Sequence, residues 1–435
     1  MNRFFKSSFM KNFSWMFAAK IMQLGTSFVV GILVARYLGA ANYGLYSQFI
    51  ALAAIAMNFS AFGLTHLITK EIKQRPEQSG MILGNAMVIR FSASLFMFLL
   101  SFALVGFLVK DTLANYLILV ICGQLFLISK VYEYYSLAFS KMKAFTLLSS
   151  AVLLASGVAK VALVSVNASF TQFLIVLAIE PMVLGSILAT YFYRNNKPKL
   201  VLEFKADEAI LLAKKAFPLV LSSLTAVIYL KVDILMLSYM TTLEQVGVYA
   251  VAARLSEIWY FLPPIVAAAA FPRLLELKKN NLEVYKKRLS NIMDAMVLIS
   301  FSLAIFFTFF AEQIVSVLFG KEFFDSGAIL SIHIWAGIFI FLRAIVSKWM
   351  LAEELYKFSL ITHAIGALTN VALNLYLIPL YGPIGAAIAT VISYSIAAYF
   401  SLFLSKEARP LAIQITQSLF LFPRLIIKLR GFRKR

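Results

Sequence analysis

The 435-residue sequence has one cysteine, Cys122, and three histidines, His66, His333 and His363. A single thiol excludes an intrachain disulfide and any cysteine-built metal site. The histidines are too scattered to suggest a ligand cluster, so no metal is expected. No GxxxxGK[ST] phosphate loop is present, which excludes an ATPase of that type in this chain. No Ser/His/Asp constellation can be drawn either, so neither an enzyme nor an organic cofactor is expected. Charge is scarce, at 14% of residues, and acids are scarcer than bases: 20 Asp+Glu against 40 Lys+Arg, a formal net charge of +20.

What is abundant is apolar. Hydrophobic residues make up 61% of the chain and mean hydropathy is +0.86. The apolar residues come in blocks of about 20 or more, long enough to cross roughly 30 Å of hydrocarbon as a helix. The alternating ten-residue segments of a β-barrel are absent. The expected class is an all-α polytopic membrane protein of about twelve transmembrane helices. The spans fall near 12–35, 43–69, 80–108, 113–139, 144–166, 170–193, 215–240, 245–271, 289–319, 326–351, 358–379 and 383–405. Residues 1–11 are basic but run directly into a full-length span, so no cleavable signal peptide is expected.

The surplus of base has an explanation other than nucleic acid. With the N-terminus inside, the cytoplasmic segments hold 29 Lys/Arg and the opposite loops hold three, Arg36, Lys110 and Lys321. That asymmetry is the positive-inside pattern. It predicts both termini in the cytoplasm, an even number of spans, and no nucleic-acid partner.

The longest polar connection, 194–215, divides the chain into two sets of six spans: a lobe at 1–193, a linker at 194–215 that begins span seven, and a lobe at 216–405. NYGLYSQFIALAA (42–54) and QVGVYAVAARLSE (245–257) share Gly-x-Tyr at the start of the second span of each half. An even number of spans per half would make such repeats parallel, with a substrate site between them. Residues 406–435 are basic, with an apolar core broken by Pro410 and Pro423. They read as a tail whose helix lies on the cytoplasmic leaflet among anionic headgroups.

Eight cations fall inside spans: Lys20, Arg90, Lys130, Lys160, Lys231, Arg254, Arg343 and Lys348. Five acids accompany them: Glu133, Glu180, Asp233, Glu257 and Asp294. A Lys or Arg at the bilayer centre costs about 2.5–3.5 kcal/mol on insertion scales, so such residues face a hydrated cavity or an acid. Lys20, Lys160 and Lys348 lie near enough to span ends to snorkel instead. Lys130 with Glu133, and Arg254 with Glu257, are three apart and can form structural ion pairs. Lys231 and Asp233 are two apart, on different faces, so each needs its own partner. Arg90 and Arg343 have no acid three or four residues away and are the leading candidates to grip an anion. The net excess of cations suits an anionic cargo, with Arg bidentate and Lys as a point charge. Asp233, Glu180 and Glu257 are the candidate ion-coupling acids. Pro263–Pro264 is the candidate hinge, through lost helix hydrogen bonds. Tyr229, Trp259, Tyr260, Trp335 and Trp349 can stack on sugars, though lipid contact is the commoner role.

Residues 217–275, FPLVLSSLTAVIYLKVDILMLSYMTTLEQVGVYAVAARLSEIWYFLPPIVAAAAFPRLL, resemble the seventh and eighth spans of the polysaccharide transporter (O-antigen flippase) family. That family belongs to the multidrug/oligosaccharidyl-lipid/polysaccharide exporter superfamily. Residues 23–72 resemble its first two spans, and LFGKEFFDSGAIL (318–330) the loop before its tenth. The resemblance implies a V-shaped pair of six-helix lobes working by alternating access in a bacterial-type cytoplasmic (inner) membrane. It implies as cargo an undecaprenyl-pyrophosphate-linked oligosaccharide for surface polysaccharide, O-antigen or capsule. It also implies a cationic lumen, to which the eight span cations would correspond, and coupling to a proton or sodium gradient. Membrane lipids and a polymerase or other assembly proteins are the implied partners. The alternatives are a multidrug exporter of the same superfamily, a lipid II flippase, and a membrane glycosyltransferase or polymerase. The last would need long outer loops bearing acids, and the outer loops here are only a few residues long.

Overall fold

The computed structural model describes residues 2–108, 113–195 and 201–420. Every regular element among them is helical. In chain order these are α1 (Asn2–Ala61), α2 (Leu64–Gln74), α3 (Ser79–Leu108), α4 (Ala114–Leu125), α5 (Val131–Ala138), α6 (Met142–Ser165), α7 (Phe170–Asn195) and α8 (Ala206–Met240). Then follow α9 (Leu243–Glu257), α10 (Leu262–Asn280), α11 (Leu282–Phe319), α12 (Ser326–His333), α13 (Ala336–Ala352), α14 (Tyr356–Ala398) and α15 (Arg409–Leu419).

Without water in the hydrocarbon, each backbone N–H and C=O must be satisfied within the segment, so apolar runs of this length become helices. Their ends use ordinary caps. Thr242 accepts a hydrogen bond from the Gln245 N–H at the start of α9, and Asn281 from the Val284 N–H at the start of α11.

Nine helical segments among the described residues are long and apolar enough to cross a bilayer. The count is ten if α8, bent by 42° between Ala206–Thr225 and Val227–Met240, is taken as one span. The expectation of twelve differs because α1 and α14 each run through two expected spans. A straight helix of 60 residues would reach about 90 Å, some three times the hydrocarbon thickness. Gly39 (φ 72°, ψ 171°) breaks α1 and Gly382 (φ 55°, ψ −133°) breaks α14. Positive φ at both points is the conformation glycine adopts without penalty, and Pro379 and Pro383 flank the second break.

The helices form two compact units, Met1–Ile228 and Tyr229–Arg435. The division falls inside α8 and not in the 194–215 connection. One core of the first unit joins Leu64, Ile68 and Ile72 of α2 to Ile82 and Leu83 of α3, Val131 and Tyr134 of α5, and Leu212 and Ala216 of α8. At one end of that core, Glu71 pairs with Arg75 at 2.7 Å and with Lys215 at 2.9 Å, and Arg75 also reaches Glu208 at 2.9 Å. Hydrogen bonds from Arg75 to Glu71 and then Glu208 push its guanidinium pKa above the ordinary value, so it stays charged throughout the accessible pH range. The linker packs here too: the Lys205 N–H donates to Asn85 Oδ1 at 2.9 Å.

One core of the second unit gathers Met293, Met296 and Val297 of α11 with Phe341, Leu342 and Val346 of α13. Leu411, Ala412 and Ile415 of α15 are buried in the same core. The start of the tail, expected to lie on the leaflet, is therefore packed into the helical unit. Its apolar face finds partner side chains there, and Ile413 and Phe420 are left exposed. The basic end of the tail, 421–435, with Pro423, lies outside the described residues, as does Lys110.

Apolar side chains such as Phe309, Val317, Leu368 and Leu404 point outward. Lipid is the solvent that suits them. It also removes the hydrophobic drive between helices, so their packing rests on close contact and polar bonds.

Candidate functional site

The first unit contains a cavity of about 460 Å³ with charged and polar side chains among its lining. Lys20 and Gln23 of α1, Ser149 of α6 and Glu180 of α7 line it, together with Gln124, Lys130 and Glu133. The last three come from one local feature. Between α4 and α5 the chain tightens into a 3₁₀ turn, Phe126–Lys130. A 3₁₀ turn has three residues per turn, so side chains three apart eclipse. Leu127 and Lys130 thus face the same way, and Gln124 at the end of α4 and Glu133 in the first turn of α5 join them on the cavity wall.

The opposite wall is α7, held close by small residues. A Cβ on Gly185 would lie 2.0 Å from the Phe126 carbonyl oxygen and 2.5 Å from its carbon. The Ser129 hydroxyl donates to the Gly185 carbonyl at 2.6 Å. Backbone cannot yield as a side chain would, so Gly185→Leu is expected to force α7 off the turn, at a cost of about 1–3 kcal/mol or more. A detergent thermal-melting assay should show the loss, and an unchanged melt would contradict the contact.

The charged residues of the cavity are not equivalent. Glu180 accepts from Lys160 Nζ at 3.0 Å and from the Ser156 hydroxyl. The side chains of Lys160 and Glu180 are 14% and 28% exposed, so this pair is partly solvated. Lys160→Met would leave the carboxylate uncompensated. After allowing for partial solvent access, a loss of roughly 1–3 kcal/mol is expected. Glu180→Gln in the same background should recover part of it in the same melt. By contrast, the side chains of Lys130 and Glu133 form no ion pair or hydrogen bond among the described residues, although they are three apart. Lys20 reaches only Gln23, at 3.3 Å.

Arg90, on α3, is 3% exposed and donates from Nη1 to the Tyr134 hydroxyl at 2.8 Å. It does not line the cavity.

The second unit holds the remaining candidates. Lys231 Nζ pairs with Glu257 at 3.0 Å, and Asp233 is 3% exposed with no salt bridge among the described residues. Its carboxylate accepts from the Tyr249 hydroxyl at 2.8 Å and from the Asn374 amide and Thr390 hydroxyl, both at 2.6 Å. The two neighbours therefore have separate partners, as their i, i+2 spacing requires. Arg254 lies on α9 and is also engaged.

Arg343 is buried on α13 and donates to Thr362, to the Ala397 carbonyl and to Ser359, at 2.9–3.4 Å. Lys348 lies over the Phe271 ring, 5.6 Å from its centroid. Pro263 and Pro264 open α10 directly after a 3₁₀ turn, Ile258–Phe261. Proline is well tolerated in a helix's first turn. Tyr229 stacks on Tyr394 at 4.2 Å, and Trp335 packs edge-on to Phe301.

The eight cations are thus split. Lys20, Arg90, Lys130 and Lys160 belong to the first unit, and Lys231, Arg254, Arg343 and Lys348 to the second. The sequence reading missed Gln124, Ser149, Tyr134, Asn374 and Thr390. Asn370 and Asn374, four apart inside an apolar span, were the available signal, because amides in hydrocarbon seek polar partners. The repeated Gly-x-Tyr acquires a physical sense: Tyr46 lies beside the Lys160 ammonium and Tyr249 on Asp233.

Several known proteins resemble this chain. A putative O-antigen transporter of Shigella dysenteriae is 24% identical over 291 residues, covering 64% of this chain and 71% of that protein. The probable low-salt glycan biosynthesis flippase Agl15 of Haloferax volcanii is 26% identical over 192 residues, 43% of this chain. The match spans about two fifths of the length of this relative and of the probable flippase AglR from the same organism. Among solved structures, the lipid II flippase MurJ in its inward closed conformation matches with a TM-score of 0.73 at 16% identity, over 96% of this chain and 93% of that one. An inward-facing multidrug resistance transporter of the MATE family matches with a TM-score of 0.66 at 14% identity, over 91% and 96%. At these identities the likeness shows the fold. The family described as polysaccharide biosynthesis protein matches residues 9–278, well over half of the chain, and this protein belongs to it.

Proposed function

We propose that this protein is a flippase that moves a lipid-linked oligosaccharide, of the polyprenyl-pyrophosphate type, between leaflets by alternating access. The observation that carries the reading is the cavity inside the first helical unit, with Lys20 and Lys130 on its wall and, among the described residues, no salt bridge to either. A transporter of apolar molecules has no use for ammonium groups held where hydration is poor. A headgroup bearing anionic substituents and many hydroxyls does. The named functions of the O-antigen transporter and archaeal flippase relatives support the same class.

In this reading the glycan enters the protein while the polyprenyl chain stays in lipid. Lys130 and Lys20 contact anionic groups of the headgroup first. Arg90 and Arg343, already bonded to protein, set the positive field and hold helices in place. Lys160 completes the cations of the first unit, and Lys231, Arg254 and Lys348 those of the second. Binding shifts a pre-existing equilibrium between inward and outward states, with Pro263–Pro264 as the hinge within the second unit. Asp233 is the leading site for a coupling H⁺ or Na⁺, because Glu180 and Glu257 already carry lysines and Asp233 does not. The charge asymmetry of the loops supports a cytoplasmic-membrane location with both termini inside. Surface-polymer synthesis, as O-antigen or capsule, and contact with a polymerase follow from the same reading.

The second reading, a cation-coupled multidrug exporter, draws on the fold shared with MATE transporters. Parallel transport assays with a fluorescent polyprenyl-pyrophosphate oligosaccharide and with a cationic dye separate the two. Transport of the lipid-linked sugar and not of the dye supports the flippase, and the reverse supports the exporter.

A further inference from the structure

The two halves of α14, on either side of Gly382, run beside each other in the second unit, and a series of bridges joins them. Nearest the break, a Cβ on Gly385 would collide with the Leu377 carbonyl. Further along, Asn374 of one half and Thr390 of the other meet on the Asp233 carboxylate. Asn370 then donates to Ser393 at 3.3 Å. At Gly366 an added Cβ would lie 2.6 Å from the Ala397 Cβ, so the halves are still in close approach. The far end is closed from outside. Arg343 of α13 donates from Nη1 to Thr362 Oγ1 at 2.9 Å on one half and to the Ala397 carbonyl at 3.0 Å on the other.

This placement suits an arginine. Ala397 lies in the last turn of α14, where helix carbonyls are left over and a cation is favoured. The guanidinium is a rigid planar fork that can hold two elements at a set spacing, which a lysine ammonium cannot. Both terminal nitrogens are used, Nη2 reaching Ser359 as well. Only Nε lacks an acceptor, and it is buried in a side chain of a residue that is 8% exposed. Little is left to meet a cargo anion. Nor can Arg343 touch an ion at Asp233, since Thr362 and Asn374 stand about 18 Å apart along the helix at 1.5 Å per residue. What it can set is the splay of the hairpin. With one end fixed at Gly382, opening the other pivots the halves and moves Asn374 against Thr390. Hydrogen bonds to Asp233 weaken steeply with such misalignment.

We infer that Arg343 is a positioning residue for the ion site at Asp233: it clasps the open end of the α14 hairpin and so holds Asn374 and Thr390 at the spacing the carboxylate needs. The inference rests on the reading of Asp233 as the coupling site. It gives Arg343 a task other than gripping the cargo, and makes the fork, not the charge alone, the feature that matters.

The test follows the melting temperature of the full chain in lipid nanodiscs as sodium chloride replaces choline chloride at constant ionic strength, and as proton concentration is varied. The readout is the sodium or proton concentration that gives half of the stabilisation. One of the two ions should stabilise the wild type, and Asp233→Asn should abolish the effect. Arg343→Lys, which keeps the charge without the fork, should raise the half-effect concentration at least threefold. Thr362→Val, which leaves Arg343 itself in place, should shift it in the same direction, and it carries the test if Arg343→Lys does not fold. The concentration of a polyprenyl-pyrophosphate oligosaccharide that half-saturates flipping should stay within twofold in both variants. An unshifted ion dependence in the folded variants, or a wild type that neither ion stabilises, would overturn the clasp. So would weaker cargo saturation at an unshifted ion dependence, the mark of a charge acting on the cargo. Stabilisation that survives Asp233→Asn would reject the Asp233 site itself. Its loss in Asp233→Asn, with no shift in Arg343→Lys or Thr362→Val, would reject only the role of Arg343.

Discussion

Lys130→Met is expected to lower flipping of a lipid-linked oligosaccharide by tenfold or more and to leave the protein as stable as before, or more so. The two halves of this expectation have one cause. The Lys130 ammonium sits on the wall of a cavity with no salt bridge or hydrogen bond among the described residues; Glu133 attracts it from a distance and Arg90 repels it. A charge so placed, attracted by one acid and repelled by one arginine, gains little that offsets its lost hydration. Methionine keeps the stem and removes the charge, so a small gain in melting temperature is expected. The same charge contributes a hydrogen bond to bound anion, worth about 1.5–3 kcal/mol, and each 1.4 kcal/mol is about tenfold in equilibrium. A residue whose removal helps the fold and harms transport is held for function. Lys160, bonded to Glu180, should behave in the opposite way and lose stability when removed. If Lys130→Met melts early, the ammonium is structural and the argument for the cavity fails.

Asp233→Asn is expected to leave a folded protein whose transport no longer responds to an imposed ion gradient. The carboxylate accepts three hydrogen bonds, from Tyr249, Asn374 and Thr390. Asparagine has the same shape and one remaining acceptor oxygen, and the two hydroxyls can turn to accept from its amide. The net loss is therefore a charge and one or two bonds, not a cavity. What disappears is the anionic oxygen a proton or sodium ion would bind. In proteoliposomes, wild-type flipping should accelerate when the coupling ion runs downhill, and Asp233→Asn should stay at the gradient-free rate. An undiminished response in a folded Asp233→Asn protein would move coupling to Glu180 or Glu257. Glu257→Gln is the control, since it also leaves Lys231 without its partner.

Much of the architecture is legible in the sequence because a membrane imposes simple rules. Runs of about 20 apolar residues become helices. The places where the reading departs from the structure have physical causes. At Gly39 the polar stretch RYLGAAN looks like a loop, yet one residue with positive φ is enough to break the helix, and helical geometry resumes at once. At Ala408–Leu419 proline and base suggested an interfacial segment, but Leu411 and Ile415 find a core to enter.

The cations were visible as anomalies; their partners were not. Asp233 meets residues 141 and 157 positions away, which no local pattern records. The i, i+3 spacing of Lys130 and Glu133 suggested an ion pair; Glu133 does attract Lys130, but without a salt bridge, and both stand on a cavity wall. Spacing gives the face, and only packing shows what the face meets.

The most direct test of the central claim is a leaflet assay. A polyprenyl-pyrophosphate oligosaccharide with a fluorescent sugar is placed in proteoliposomes, and a membrane-impermeant quencher reports how much is exposed outside. The account predicts that liposomes holding the wild-type protein equilibrate the label between leaflets at least tenfold faster than protein-free liposomes, and that Lys130→Met liposomes do so more slowly. Equilibration no faster than in protein-free liposomes, with and without proton and sodium gradients and with both acidic and neutral glycans, would contradict it.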